Sequence, residues 1–461
     1  MKKPNFILDY IIFYASIFIP LAIYIALTNY YFKNYVNPLD SVVDYIMFFL
    51  KLTWFGGIIL VPTGFISWFL YGSPLKQDYI NTQLFLNQGW NPTKKLVVVF
   101  VSRGQNIEAL DRSISNTLTL LNKHNVRFEI EVVTDLPVES QIRSNHASIE
   151  NKVFFYQVPH HYETENNAKY KARALHYLID SRERSLLDNT WYLHFDEESQ
   201  ITLECIAGLH KFLKTKESYD VVAQGEIKYN AYNYGQNLLI TAIDAIRTGD
   251  DLGRFRFQLK LLGTPVFGIH GSFILIPAKI EHHIGFDVGG RGSITEDAYF
   301  ALTAAEMGYK FRWLDGFIME QSPFSLSDLI KQRRRWVSGL VLLANDNQLK
   351  LITRLPLKIN LFLWQISWVS IFVTIINIII GGSWFPTELS YAAAIITGGF
   401  YSMYTVGSYR NLRDIDANIF KKISIYLATL LLIPISAVIE GVAVIYATLE
   451  PVTHFDVVQK N

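Results

Sequence analysis

The sequence has almost no cysteine. Cys205 is the only one among 461 residues, so an intrachain disulfide and a cysteine-based zinc site are both excluded. A single thiol is compatible with a catalytic region that faces a reducing cytosol. We expect Cys205 itself to be inert and packed in a core.

The sequence also lacks an excess of charge of either sign. Its 42 Lys and Arg residues nearly balance its 41 Asp and Glu residues. A protein that binds nucleic acid usually carries a basic field. The balance therefore argues against nucleic acid as a partner.

Long apolar runs, by contrast, are abundant. Half of the residues are hydrophobic and the mean hydropathy is positive, a composition typical of a protein with membrane and globular parts. A membrane-spanning helix needs ~20 mostly apolar residues. Five such runs are present, at Leu8–Thr28, Tyr45–Tyr71, Ile359–Ile380, Leu389–Val406 and Ile423–Ala447.

These runs divide the chain into four parts. We expect two transmembrane helices in residues 1–72, a globular catalytic domain in 73–320, an amphipathic interface region in 321–357 and about three transmembrane helices in 358–461.

Positive side chains in short flanks predict the orientation of the spans. Arg410, Arg413, Lys421 and Lys422 crowd the segment between the fourth and fifth runs, and such segments lie on the cytosolic side. This places the N-terminus and the large domain in the cytosol, at a bacterial plasma membrane or an endomembrane, and the C-terminal tail on the opposite face.

The residue pattern of the globular stretch predicts alternating strands and helices. Buried-type strands are predicted at Lys95–Val101, Phe128–Val133, Lys152–Val158 and Trp191–Phe195, with amphipathic helices between them. This alternation indicates a doubly wound α/β sheet. Ligands bind beyond the carboxyl ends of such strands, where Asp135 and Asp196 are expected.

Two carboxylates, Asp196 and Glu198, follow the fourth strand two residues apart. In extended backbone they point to the same side and can hold one hard cation. Mg²⁺ or Mn²⁺ is typically bound by one or two carboxylates plus substrate phosphates. A solvated acidic turn is the alternative for an isolated cluster of this kind.

A second acidic motif, Thr295-Glu296-Asp297, opens a predicted helix. Thr295 can serve as an N-cap, with the acids stabilised by the positive helix end. A carboxylate fixed at a helix start can equally act as a general base, provided that it lies within about 2.6–3.2 Å of the acceptor hydroxyl. Asp297 is the candidate base.

A third motif, Gln332-Arg333-Arg334-Arg335-Trp336, lies on an amphipathic helix predicted over Leu326–Leu343. Basic and aromatic residues on such a helix suit a membrane interface. Alternatively, the Arg335 guanidinium can bind a diphosphate in a forked geometry, and Trp336 can close the nucleotide pocket.

Taken in order, these motifs resemble glycosyltransferase family 2 on a GT-A fold. The segments His194–Ser199, Gly271–Phe273, Ser293–Leu302, Ser322–Phe324 and Gln332–Trp336 are similar to those of the Egghead-type β-1,4-mannosyltransferases. The resemblance implies a membrane enzyme that transfers mannose from GDP-mannose to a glucosyl lipid with inversion. The residues alone leave the donor open, and a UDP-sugar remains possible.

The resemblance also implies a role for each matching residue. It assigns Asp135 to the nucleotide, Asp196 and Glu198 to the metal, Asp297 to the acceptor hydroxyl, and Gln332, Arg335 and Trp336 to the diphosphate side. Lys171 and Arg173 become nucleotide contacts or members of a surface helix. Gly271 and Glu296 belong to the substrate site, and His270 either lines the acceptor site or is structural.

Other ionisable residues are weaker candidates. His160-His161 and His282-His283 are assigned to surface loops, since no second pair stands at ligand spacing. Glu440 falls in mid-span, where an ionisable group is usually functional, although a packing contact with another span is the alternative. Lys51 lies near enough to one end of its span to reach the interface.

Two rival functions remain open at this level. A processive polysaccharide synthase that uses a UDP-sugar also carries Gln-x-x-Arg-Trp and needs a membrane channel for its polymer. A membrane scaffold with an inactive transferase-like domain is the other rival. All the carboxylates that transfer chemistry requires are present, which favours an enzyme.

Overall fold

A seven-stranded mixed sheet forms the centre of the globular part. The computed structural model describes residues 3–35, 41–145, 152–182, 188–215, 220–289 and 294–452. The strand order is β3-β2-β1-β4-β6-β5-β7. The strands are β1 (Lys95–Ser102), β2 (Phe128–Thr134), β3 (Val153–Gln157), β4 (Thr190–Asp196), β5 (Val221–Lys228), β6 (Ile274–Pro277) and β7 (Lys310–Met319).

Sixteen helices are described around and beyond this sheet, within the ranges just given. They are α1 (Phe6–Tyr35), α2 (Val42–Lys51), α3 (Leu60–Tyr71), α4 (Leu75–Gln88), α5 (Ile107–Lys123), α6 (Glu139–Asn145), α7 (Tyr170–Ser181), α8 (Leu203–Leu213), α9 (Leu238–Asp250), α10 (Ala278–Ile284), α11 (Glu296–Glu306), α12 (Leu326–Ala344), α13 (Leu351–Ser367), α14 (Val369–Ile379), α15 (Thr387–Arg413) and α16 (Ile419–Leu449). A 3₁₀ segment, Leu52–Gly57, joins α2 to α3, and α9 continues as π-helical turns.

The predicted parallel strands are confirmed as β1 to β4. β1 lies between β2 and β4 in parallel register, with Ser102 opposite Thr134 and Val101 opposite Asp196. These strands therefore end at one edge, where Asp135 and Asp196 follow. The antiparallel strand β6 was not predicted; it separates β4 from β5.

Helices cover both faces of the sheet, as a doubly wound α/β fold requires. On one face, α5 and α8 contribute Leu110, Ile114 and Leu209 to a buried cluster. On the other, α7 and α11 contribute Leu175 and Phe300 to a second cluster. Cys205 is fully buried in the first cluster, so its predicted packing role is confirmed.

Four helices among the described residues are long and apolar enough to cross a membrane. They are Phe6–Tyr31, Val42–Tyr71, Leu351–Ile379 and Ile419–Leu449. The fourth of the five predicted spans, Leu389–Val406, falls in α15. There 16 of 27 residues are buried, because α15 packs against α1 and α9 rather than presenting an apolar surface.

The end of α15 is tied to the sheet by a buried ion pair. Arg410 donates two hydrogen bonds to Glu226 of β5, at 2.9 and 2.6 Å, and both side chains are at most 1% exposed. The basic cluster used to predict orientation therefore lies on the side of the catalytic sheet.

The end of α16 differs from expectation. The backbone N–H of Val452 donates to Ser338 Oγ at 3.0 Å, and Arg334 donates to the carbonyl of Glu450 at 2.6 Å. The start of the C-terminal tail thus packs against α12, whereas the prediction placed the tail on the membrane face opposite the catalytic domain. The histidine assignment is also partly wrong: His160 and His161 are exposed outside helices and strands, whereas His282 and His283 belong to α10.

Candidate active site

A large cavity opens at the carboxyl ends of the parallel strands and extends among the apolar helices. Its volume is about 1130 Å³. It brings together almost every residue predicted from the sequence, namely Asp135, Lys171, Asp196, Glu198, His270, Gly271, Glu296, Asp297, Gln332, Arg335 and Trp336. Arg173 is the exception, since it stands behind Asp135 and not on the described wall.

Lys171 is the central cation of this site. Its Nζ lies 2.5 Å from Asp196 Oδ1, 2.8 Å from the carbonyl oxygen of Gly271 and 3.4 Å from Glu296 Oε1. Burial opposes the charged form, but the surrounding carboxylates outweigh it and raise the pKa of Lys171. Lys171 is therefore held as an ammonium inside the site, which excludes the surface-helix alternative.

Asp297 stands at the start of α11, with its side chain directed into the cavity. Its Oδ1 accepts the backbone N–H of Ala298 at 2.7 Å. Burial and the neighbouring Glu296 raise the pKa of Asp297 to about 7, against the lowering effect of Lys171. A carboxylate with a pKa near neutral pH is suited to general-base chemistry.

Gly271 makes this close grouping possible. A Cβ at this position would lie 2.8 Å from Lys171 Nζ and 3.0 Å from Asp297 Oδ2. Tyr170, which precedes Lys171, has a φ value of 54°. Phe273, two residues after Gly271, has a φ value of 55°. Such conformations cost ~1–3 kcal/mol each and are concentrated at functional sites.

Three carboxylates, those of Asp196, Glu198 and Glu320, gather at the ends of β4 and β7. Burial and the charges of Asp196 and Glu198 raise the pKa of Glu320 to about 7. Ser199 donates to Glu320 Oε1 at 3.1 Å. Glu320 was not predicted, although its position directly after a strand is the same signal that identified Asp196.

Two of these carboxylates, Asp196 and Glu198, supply the oxygen ligands that a hard divalent cation prefers. Within the described part of the chain, no set of three or more His, Cys, Asp or Glu side chains is arranged as a complete metal cage. Mg²⁺ and Mn²⁺ sites commonly use one or two carboxylates and take the remaining ligands from water and substrate phosphate. Asp196 and Glu198 on the cavity wall meet that requirement.

Glu197, between these two, serves a different purpose. Its carboxylate accepts hydrogen bonds from Ser102 and from Asn106 Nδ2, the latter at 2.5 Å. These bonds connect the end of β4 to the loop that follows β1. Glu197 thus fixes the backbone from which Asp196 and Glu198 project.

Helix α12 forms the opposite wall. Burial lowers the pKa of Arg335, and the charges of Glu296, Asp196 and Asp297 act against that effect, so this guanidinium faces the acidic side of the cavity. Trp336 is flanked by two other guanidinium groups: the Cζ atoms of Arg333 and Arg247 lie 4.5 and 4.6 Å from its ring centroid. Arg247, on α9, was not predicted.

The two remaining predicted residues, Arg173 and His270, each bond a carboxylate of the protein. Arg173 donates to Asp135 Oδ1 at 3.0 Å, which orients that carboxylate beside the end of β2. His270 bonds Asp251 Oδ1 at 2.5 Å and stacks on Phe255 with ring centroids 4.2 Å apart. The His270 ring lines the cavity, yet its fixed position favours the structural interpretation.

Comparison with known proteins supports the resemblance that the motifs indicated. Residues 191–407 match the model of the family described as glycosyl transferase family group 2. The chain is 33% identical to beta-1,4-mannosyltransferase egh of Drosophila melanogaster over 85% of this chain and 80% of that protein. It is 31% identical to beta-1,4-mannosyltransferase bre-3 of Caenorhabditis elegans, over 72% and 71% of the two chains.

Similarity to solved structures is weaker. A mannosyltransferase of Pyrobaculum calidifontis, solved with GDP-Man and Mn²⁺, aligns with a TM-score of 0.41 and 14% identity. The alignment covers 80% of this chain and all of the other chain.

Proposed function

The chain belongs to glycosyltransferase family 2, among the relatives of the Egghead-type β-1,4-mannosyltransferases, and from this premise we propose that it transfers mannose from GDP-mannose to a lipid-linked sugar. The transfer inverts the anomeric carbon and forms a β-glycosidic bond. The observation that carries this proposal is the position of Asp297, a carboxylate with a pKa of about 7 opposite Arg335 in one cavity.

The donor lies between the strand ends and α12. Asp135, oriented by Arg173, contacts the base or ribose, and Lys171 is placed near the diphosphate. Arg335 binds phosphate oxygens, because a buried guanidinium has the planar donors that suit them. Gln332 and Trp336 complete this side of the cavity.

A divalent cation, Mg²⁺ or Mn²⁺, belongs to the same proposal. Asp196 and Glu198 would hold it, with Glu320 beside them. When bound, such an ion neutralises charge on a diphosphate leaving group.

Asp297 removes the proton from the acceptor hydroxyl. The hydroxyl oxygen forms its bond to the anomeric carbon as the bond from that carbon to the diphosphate oxygen breaks on the opposite face. Arg335 and Lys171 stabilise the negative charge that the leaving group gains. Holding donor and acceptor in line removes much of the entropic barrier.

The test is release of nucleoside diphosphate by purified protein over a panel of nucleotide-sugars with Mn²⁺, with and without a glucosyl lipid. We expect acceptor-dependent GDP release from GDP-mannose, and its loss in Asp297→Asn. Release from a UDP-sugar with a long product would instead identify a processive synthase. No turnover with any donor would support the inactive scaffold.

A further inference from the structure

The cavity continues far beyond the catalytic residues. One face of α13 and α14 lines it at intervals of three or four residues, through Leu357, Asn360, Trp364, Trp368, Ile371, Ile375 and Ile378. At ~1.5 Å per residue this face is roughly 30 Å long, similar to the hydrocarbon core of a bilayer, about 30 Å. The cavity therefore follows apolar helices over a membrane-like length.

The wall of this extension, which we call the helical cavity, combines apolar and polar groups. α1 contributes Tyr24 and Leu27, and α15 contributes Ala394, Thr397 and Tyr401. Polar side chains within membrane helices usually face a protein interior or a wet cavity. A hydrocarbon chain matches the Ile and Leu side chains of this wall, whereas a bare saccharide chain would leave them unmatched.

Two helix interruptions meet at this wall. The 3₁₀ segment Leu52–Gly57 interrupts one candidate span, and Trp368 separates α13 from α14. They pack closely, since a Cβ on Gly56 would lie 2.6 Å from Ser367 Cβ. Irregular backbone at membrane depth is tolerated where it is buried in protein or lines a cavity, and residues from both interruptions line this one.

Hydrogen bonds join the chain segments at the end remote from Asp297. Lys51 Nζ donates to the carbonyl of Ser383 at 2.7 Å, and Asn377 Nδ2 donates to Tyr31 Oη at 3.0 Å. Lys51 is 1% exposed, so its side chain is held between the helices. These contacts link α1, α2, α14 and the segment before α15.

We propose that the helical cavity binds the acceptor as an amphiphile, with its sugar at Asp297 and its lipid moiety between α1, α13, α14 and α15. This inference rests on the proposed function and adds the location at which the acceptor's lipid part binds. The mixed wall matches a molecule with a hydrocarbon chain and a polar linkage region.

The test compares two acceptors that share one glucosyl headgroup, a long-chain glucosyl lipid and octyl glucoside, in a detergent without a sugar headgroup. Ala394→Trp fills the helical cavity from α15, and Ile371→Trp fills it from α14. Ile395→Trp is the matched control, because Ile395 is 40% exposed on the outer face of α15. We expect both cavity variants to lose at least ten-fold in kcat/KM for the long-chain acceptor and less than two-fold for octyl glucoside.

Each other outcome counts against the proposal. Unchanged selectivity in both cavity variants, an equal loss for both acceptors, or the same change in Ile395→Trp would overturn it. A polymeric product from the unaltered enzyme would make the cavity a saccharide passage. Absence of transfer to either acceptor by the unaltered enzyme would refute the proposed function itself, which separates the two failures.

Discussion

Arg333 of α12 and Glu440 of α16 form a partly buried ion pair, with Arg333 Nε 2.7 Å from Glu440 Oε1. Arg333 also donates to Asp244 of α9 at 2.6 Å and to Gln332 Oε1 at 2.8 Å. Its side chain is only 2% exposed. One guanidinium thus connects three helices and contacts two residues of the proposed donor site, Gln332 and Trp336.

Glu440→Gln should weaken donor binding, because the pair orients Gln332 and Trp336 through Arg333. Hydrogen bonds to charged groups contribute about 1.5–3 kcal/mol, so we expect KM for the nucleotide-sugar to rise about ten-fold with a smaller change in kcat. Glu388→Gln is the control, since Glu388 is exposed in the first turn of α15. An unchanged donor KM in Glu440→Gln would refute this positioning role.

The pH dependence of transfer should reflect Asp297. A base acts only when deprotonated, and burial together with Glu296 raises the pKa of Asp297 to about 7. Consequently kcat/KM should fall as the pH drops from 8 to 6. Asp297→Asn should reduce transfer by a factor of ~10²–10⁴, and the residual rate should no longer follow this profile. A flat profile for the unaltered enzyme between pH 6 and 8 would exclude Asp297 as the base.

Many active-site residues could be predicted from the sequence, because the ends of apolar strands can be recognised from the residue pattern. Asp135 and Asp196 come directly after apolar strands, and parallel strands place such residues at one edge of the sheet. Asp297 could be identified from a different local pattern, the Thr295-Glu296-Asp297 motif at the start of a helix. These inferences require only local patterns and one general rule of α/β topology.

The missed features depend on contacts between distant segments. Glu440 was identified from its position in an apolar run, but its partner, Arg333, could not be predicted because the two meet only where α16 passes α12. The burial of α15 follows from its packing between α1 and α9, which its own composition does not indicate. In the sequence, Glu320 cannot be distinguished from other acidic residues that follow strands. Only the position of β7 in the sheet places it beside Asp196 and Glu198.

Glu320→Gln should alter stability in a pH-dependent manner. Burial and two nearby carboxylates raise the pKa of Glu320 to about 7, above the ordinary value near 4.3. Its contribution to stability is therefore present at acidic pH and lost as the pH rises through about 7. In metal-free protein, Glu320→Gln should raise Tm relative to the unaltered chain at pH 8, and the increase should become much smaller as the pH falls to 4. The opposite trend would show that Glu320 is compensated by a cation within the protein.

Removal of divalent metal should distinguish the metal-binding role of Glu198 from the structural role of Glu197. If Glu198 helps to hold the ion, chelation abolishes transfer, and Glu198→Gln raises the Mn²⁺ concentration for half-maximal rate by at least ten-fold. Glu197→Gln is the matched control, because Glu197 is engaged by Ser102 and Asn106 and should affect stability more than the metal requirement. Titration of Mn²⁺ into chelator-treated protein, with transfer as the readout, gives the Mn²⁺ concentration for half-maximal rate in each variant. Equal shifts in the two variants would mean that the acidic cluster binds the ion as a whole, whereas full activity in chelator would remove the metal from the mechanism.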